Sequence, residues 1–321
     1  MKSLLKLGVA ALACAVIAGC GQGQDSDQLV VGFSQIGSES GWRAAETRVA
    51  REQAEARGID LRVSDAQQRQ ENQIRAIRTF IAQGVDAILL APVVETGWDA
   101  VLAEAREANI PVVLLDRRIE TADEDLYLAA VASDAVEEGR VAARWLAEEV
   151  GDRQCGVIEL QGTVGASVAN DRREGFAEIV AGNPNLTIVR SQSGDFTRSR
   201  AKEVMESLIR SVGGPNICAV YAHNDDMMIG AIQAMTEAGL NPGEDILTVS
   251  IDGVPDIFRA MAEGQANATV ELTPNMAGPA FDLLEAYLDD GTAPEKWVRT
   301  DSPLYLADTA EAEYAQRRDR Y

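Results

Sequence analysis

Histidine is almost absent from this chain: His223 is the single one in 321 residues. That removes most histidine-ligated metal centres and leaves any histidine-dependent triad resting on one side chain. Basic residues are scarce too, 29 Lys and Arg against 51 Asp and Glu, a formal net charge of −22 spread along the sequence. Such a surface repels phosphate backbones and excludes non-specific nucleic-acid binding. Beyond the first twenty residues no stretch approaches the ~20 apolar residues that cross a bilayer. No phosphate-binding glycine loop, nucleophile elbow or metal-ligating cluster is present. Gly19-Cys20-Gly21-Gln22-Gly23 is glycine-rich but follows no strand, so it is not a dinucleotide motif. Neither a cofactor nor a metal is expected. What remains is 46% apolar and 25% charged residues, the balance of a folded chain with room for about two domains.

The N-terminus reads as an address. Lys2 and Lys6 precede an apolar run from Leu7 to Ala18, too short to span a membrane comfortably. It ends Ile17-Ala18-Gly19-Cys20, which resembles the bacterial lipobox. The expectation is a lipoprotein signal peptide at 1–19, lipidation of Cys20 and a polar tether at 20–27; the alternative is an ordinary signal peptide with an incidental cysteine. Cys14 leaves with the signal. Cys155 and Cys218 then remain in an exported protein, each at the start of a strand-like run, and a disulfide between them is expected, with two buried free thiols as the alternative.

From Leu29 onward short apolar strands alternate with amphipathic helices. Leu29–Ser34, Ile59–Val63, Ala87–Ala91 and Pro111–Asp116 read as strands; Trp42–Arg57, Asn72–Gln83 and Gly97–Ala108 read as helices. The plan recurs in Gly156–Leu160, Thr187–Ser191, Ala219–Ala222 and Ile246–Ile251, with helices near 170–181, 197–211 and 226–238. Continuous apolar strands alternating with helices indicate parallel sheets covered on both faces, and the repetition indicates two doubly wound α/β lobes. Ligands of such sheets bind at the carboxyl ends of the strands, so two facing lobes would share one cleft.

Polar residues gather at those ends: Glu39-Ser40-Gly41-Trp42-Arg43 after the first strand, then Asp116-Arg117, His223-Asn224-Asp225-Asp226 and Ile251-Asp252-Gly253, with Arg172 early in a helix. Asp, Asn and Arg offer oriented donors and acceptors suited to sugar hydroxyls, and Trp42 offers a flat apolar face. Singly, each could be a turn, a cap, a core residue or a surface charge. Their recurrence at strand ends in both halves carries the argument.

Val31-Gly32-Phe33-Ser34-Gln35, Ile110-Pro111-Val112-Val113-Leu114-Leu115-Asp116-Arg117, His223-Asn224-Asp225-Asp226 and Ile251-Asp252-Gly253-Val254-Pro255-Asp256 resemble landmarks of the type I periplasmic sugar-binding proteins of ABC importers, the ribose- and galactose-binding class. The resemblance runs from about residue 29 to the end. Gly37–Thr47, Leu160–Ser167, Ser191–Ser199 and Val270–Pro279 look most like its galactofuranose-binding branch. It implies two parallel-sheet lobes joined by a multi-crossover hinge: 28–132 with 273–297, and 133–272 with 298–321. It implies a monomeric receptor that closes over a monosaccharide, galactofuranose or a related aldose, and delivers it to membrane permease subunits from the periplasm or cell surface. The implied sugar residues are Glu39, Ser40, Gly41, Trp42, Arg43, Asp116, Arg117, Arg172, Asn224 and Asp252, with Asp195, Phe196 and Glu271 added. Two rivals remain: a sugar sensor for a chemotaxis or signalling partner, and a glycosidase using two cleft carboxylates. The glycosidase is disfavoured because neighbouring Arg and Asn residues oppose keeping a carboxylic acid protonated. A repressor of similar fold would need a DNA-reading helix-turn-helix, a basic face and no export signal.

Overall fold

The computed structural model describes residues 28–318; the expected signal peptide at 1–19, Cys20 and the tether at 20–27 lie outside the described residues. The chain first lays down β1 (Val30–Gln35), α1 (Gly41–Arg57), β2 (Asp60–Asp65), α2 (Gln70–Gln83), β3 (Ala87–Leu90), α3 (Asp99–Glu107), β4 (Val112–Leu115) and β5 (Ala129–Ser133). It then crosses to a second lobe and forms α4 (Ala135–Val150), β6 (Cys155–Gln161), α5 (Ser167–Ala181), β7 (Leu186–Ser193), α6 (Arg198–Val212), β8 (Ala219–Ala222), α7 (Asp225–Glu237), β9 (Leu247–Asp252), α8 (Pro255–Ala262) and β10 (Ala268–Glu271). α9 (Ala277–Asp290) and β11 (Trp297–Thr300) return to the first lobe, and β12 (Leu304–Leu306) and α10 (Ala310–Arg317) end in the second.

The two sheets have the same order, β11-β5-β4-β3-β1-β2 and β12-β10-β9-β8-β6-β7. β3 and β4 are buried along their whole length, because helices cover both faces of the sheet. The lobes differ at one edge: β11 pairs parallel to β5, whereas β12 pairs antiparallel to β10. This moves one expected boundary. The chain was expected to cross at 297/298, but Val298, Arg299 and Thr300 pair with Val131, Ala132 and Ser133 of the first sheet, so that crossing falls at 301–303.

Local chemistry sets the helix ends that face the cleft. Ser40 Oγ accepts from the Arg43 amide at 3.1 Å and starts α1, and Asn224 Oδ1 accepts from the Met227 amide at 3.0 Å and starts α7. The parallel strands β6 and β8 bring Cys155 and Cys218 into a disulfide, their Cα atoms 5.2 Å apart. Closing a loop of that length is worth roughly 4 kcal/mol in chain-entropy terms.

Candidate functional site

The carboxyl ends of the two sheets face each other across a small cavity. From the first lobe Glu39, Ser40, Trp42 and Arg43 reach it from the β1–α1 loop and the start of α1, and Asp116 and Arg117 from the end of β4. From the second lobe come Val168 and Arg172 on α5, Phe196 before α6, Asn224 after β8 and Asp252 at the end of β9, with Leu272 from the connecting segment.

Arg43 organises the first wall. Its guanidinium donates to Glu46 at 2.5 Å and Asp116 at 2.6 Å, and its Nε lies 3.5 Å from Glu39. Burial alone would weaken its charge, but Glu46, Asp116 and Glu39 outweigh that and hold its pKa well above the ordinary value. Arg117 is less supported. It donates to the Val93 carbonyl at 2.9 Å, and burial, with Arg43 nearby, lowers its pKa to about 10. Trp42 donates its indole N–H to the Leu272 carbonyl at 2.6 Å, which fixes the ring at the junction between the lobes. It is both a cavity wall and a core residue.

In the second lobe Arg172 donates to Glu138 at 2.8 Å and to the His223 carbonyl at 2.7 Å. Burial opposes its charge, yet Glu138, Asp252 and Asp116 keep its pKa above normal. The close approach of α4 and α5 makes this pair possible. A Cβ on Gly139 would lie 2.3 Å from the Arg172 carbonyl, and one on Gly175 would lie 1.9 Å from that of Val136. Burial pushes the Asp252 carboxyl well up. Arg172 pulls it back, while Asp225, Asp226 and Asp116 add to the rise. Asp225 lies behind it, accepting from Ser250 at 2.6 Å, Thr269 at 2.8 Å and the Gly253 and Val254 amides at 2.7 and 2.8 Å. Burial nevertheless pushes its pKa up to about 7. His223 does not line the cavity. Its Nδ1 accepts from the Gly162 amide at 3.3 Å and its Nε2 lies 3.2 Å from Glu159. Burial depresses the imidazole, so a neutral ring donates through Nε2 to an ionised Glu159.

Five buried polar atoms on the cavity residues have no protein hydrogen-bond partner: Glu39 Oε2, Arg43 Nε, Asp116 Oδ1, Arg117 Nε and Arg172 Nη2. Such atoms are rare in native interiors because each costs about 1–3 kcal/mol. Backbone strain collects here as well. Asp116 (φ 63), Asp195 (φ 53), Phe196 (φ 60) and Asp252 (φ 130) all carry positive φ, at about 1–3 kcal/mol each for a non-glycine residue.

Both rims tie the lobes together. On one side the Gly41 amide donates to Asp226 at 2.7 Å, and Arg198 holds Asp226 from behind. On the other, Glu95 N–H meets the Gly165 carbonyl at 2.9 Å, Asn170 donates to Glu95 at 3.0 Å, and Arg118 reaches Ser167 at 3.0 Å and Asp171 at 2.9 Å.

Three of the expected site residues lie elsewhere. Glu271 is taken by Arg317 at 2.7 Å and by the Tyr305 hydroxyl at 3.1 Å, because the strand β12 and helix α10 pack on its side of β10. Asp195 accepts from Ser193 at 2.9 Å and is half-buried in its own turn. Gly41 sits on the rim through its backbone. Sequence reasoning missed Val168, Leu272 and the supporting Glu46 and Glu138. Glu46 is three residues after Arg43 on α1 and could have been found from that spacing; nothing in the sequence links Glu138 to Arg172.

Known proteins match this arrangement. Residues 31–292 match the periplasmic binding protein domain family. The chain is 64% identical over 292 residues to the galactofuranose-binding protein YtfQ of Escherichia coli strain K12, covering 91% of this chain and 92% of that one. The binding protein of the arabinose ABC transporter from Shewanella sp. ANA-3, solved with α- and β-L-arabinofuranose, is 54% identical with a TM-score of 0.89, covering 91% and 96% of the two chains. A Mycobacterium smegmatis structure in complex with β-D-fucofuranose is 43% identical with a TM-score of 0.87, again covering 91% and 96%. With its two like-ordered parallel sheets and its interlobe cavity, the chain belongs to the periplasmic binding protein family, in the type I form.

Proposed function

We propose that this protein is the sugar-binding component of an ABC importer, closing over one furanose-form aldose, galactofuranose or a close relative, and delivering it to permease subunits. The observation that carries this reading is the set of five polar atoms of one buried cavity without a hydrogen-bond partner among the described residues, two carboxylate oxygens and three guanidinium nitrogens. A hydroxyl both donates and accepts, so a polyol can satisfy such a mixed set, whereas an anion or a cation would meet like charge at part of the wall. Asp116, Arg117, Arg172, Asn224 and Asp252 hold hydroxyls in this reading, and Trp42 packs against the ring carbons. The galactofuranose, arabinofuranose and fucofuranose named for the relatives support the furanose form.

Both lobes contribute to the set, so sugar contacts are complete only when the lobes are together, and sugar shifts the open–closed equilibrium toward closure. The three interlobe crossings serve as the hinge. The protein works in the periplasm or at the cell surface as a monomer, held through lipidated Cys20; incorporation of labelled palmitate, lost in Cys20→Ala, tests the anchor. Catalysis is disfavoured because Asp116 is committed to an ion pair with Arg43. A sensory role would use the same cavity.

Isothermal titration with pentoses and hexoses, each allowed to equilibrate between ring forms, tests the reading. Binding confined to a few aldoses with substantial affinity is expected. Absence of heat with every neutral aldose overturns it.

A further inference from the structure

Phe196 forms the cavity wall that the second lobe presents toward Arg117, whose guanidinium carbon lies 5.1 Å from the ring centroid. The ring is buried, and its tip rests on Gly162 just beyond β6. A Cβ placed on Gly162 would lie 1.9 Å from Phe196 Cζ, 2.2 Å from Cε2 and 2.5 Å from Cε1, well inside van der Waals contact. Gly162 cannot retreat easily. Its amide donates to His223 Nδ1 at 3.3 Å, and its carbonyl accepts from Ser193 Oγ at 2.7 Å. Phe196 is fixed at its own end, with the Asn224 amide 3.4 Å from its carbonyl and Thr197 capping α6 immediately after it. Its positive φ is part of the same fit, because the turn through Asp195 and Phe196 aims the ring back at Gly162.

We infer that Gly162 is a specificity-determining residue: by carrying no side chain it lets the Phe196 ring lie back, and the depth so gained admits the exocyclic carbons of a six-carbon furanose. The inference rests on the sugar-binding reading above and adds to it which dimension of the sugar is measured and by which backbone position. A methyl group at 162 meets the ring, and a ring pushed away from it narrows the small cavity that Phe196 and Arg117 both line.

Three sugars grade the length at issue. Galactofuranose carries a two-carbon CHOH–CH2OH tail, fucofuranose a CHOH–CH3 tail and arabinofuranose a single CH2OH. Affinities of D-galactose, D-fucose and L-arabinose are measured by titration on the full-length protein and on Gly162→Ala. The ratio of variant to wild type for each sugar cancels its furanose fraction in solution. Galactose should weaken on the order of ten-fold or more, the effect of about one misfitted carbon in a closed pocket, with fucose next and arabinose least. Adding Phe196→Leu to Gly162→Ala should restore galactose. Equal losses for all three sugars, or none, overturn the inference. If wild type binds none of the three, it is the sugar reading that fails. Should Gly162→Ala not fold, Phe196→Ala deepens the same wall, and preference must then move toward galactose over arabinose; an unchanged preference overturns the inference.

Discussion

In the first lobe Arg43 is enclosed by Glu46, Asp116 and Glu39, while in the second Arg172 meets one carboxylate, Glu138, and one backbone carbonyl. The first lobe also holds four of the five partnerless polar atoms of the cavity; the second holds only Arg172 Nη2. Behind the wall of the second lobe the buried carboxylate of Asp225 is held by hydroxyls and amides. Ion pairing thus holds buried acids in both lobes, at Glu46 and Asp116 in the first and at Glu138 in the second, and the second lobe adds an acid held by neutral donors. Ion pairing leaves charged, well-oriented acceptors and donors at the wall. Neutral donors hold backbone in place and leave the acid close to protonation.

The largest expected effect tests that contrast directly. Removing one partner of a buried ion pair typically costs about 3–5 kcal/mol because the other charge stays buried and unpaired. Arg172→Ala removes the ion pair of Glu138 and the cation beside Asp252, whereas Arg43→Ala removes the cation shared by Glu46, Asp116 and Glu39, so urea unfolding without sugar should show the greater loss for Arg43→Ala. A larger loss for Arg172→Ala would break the comparison. The double change Arg172→Met with Glu138→Leu should recover most of the stability and none of the binding.

Next in size is Asp252→Asn. Replacing one carboxyl oxygen by an amide NH2, which cannot accept from a buried hydroxyl, should weaken sugar binding by roughly ten-fold to a few-hundred-fold. The sugar-free melting temperature should stay level or rise, since burial and Asp225, Asp226 and Asp116 already oppose charge at this position. A fall in melting temperature with wild-type affinity would assign Asp252 to the fold instead of the site.

The smallest effect is a slope. Asp225 has its pKa raised to about 7, so between about pH 4 and 7 the folded protein keeps a proton that the unfolded chain has released. This group's contribution is fully present below its unfolded pKa and is lost as pH rises through about 7. Stability measured by urea unfolding across that window should therefore fall less steeply in Asp225→Asn. An unaltered slope would mean that Asp225 is ionised throughout.

Much of this was legible in the residues. Runs such as Ala87-Ile88-Leu89-Leu90 can only be strands buried on both faces, and Gly58 and Gly84 stop their helices in the left-handed conformation that glycine adopts freely. The helix beginning at Gly41 was read to within one residue. That Glu271 faces away from the cavity is not legible locally, because its partners, Tyr305 and Arg317, come from a segment more than thirty residues later. The third crossing was misplaced for a similar reason: Trp297–Thr300 has a strand's composition, but which sheet it joins depends on which edge is open when it arrives.

The sequence by itself determined the alternation of elements, their two-fold repetition and the collection of polar residues at strand ends, because these follow from side-chain periodicity and backbone preference over a few residues. Only the tertiary structure decided which of those polar residues share a cavity, which are consumed by ion pairs behind it, and that Phe196 rests on Gly162. Each of those outcomes is a distance between atoms far apart in the chain, and a distance of that kind is set by how helices and sheets pack, which no local run of residues encodes.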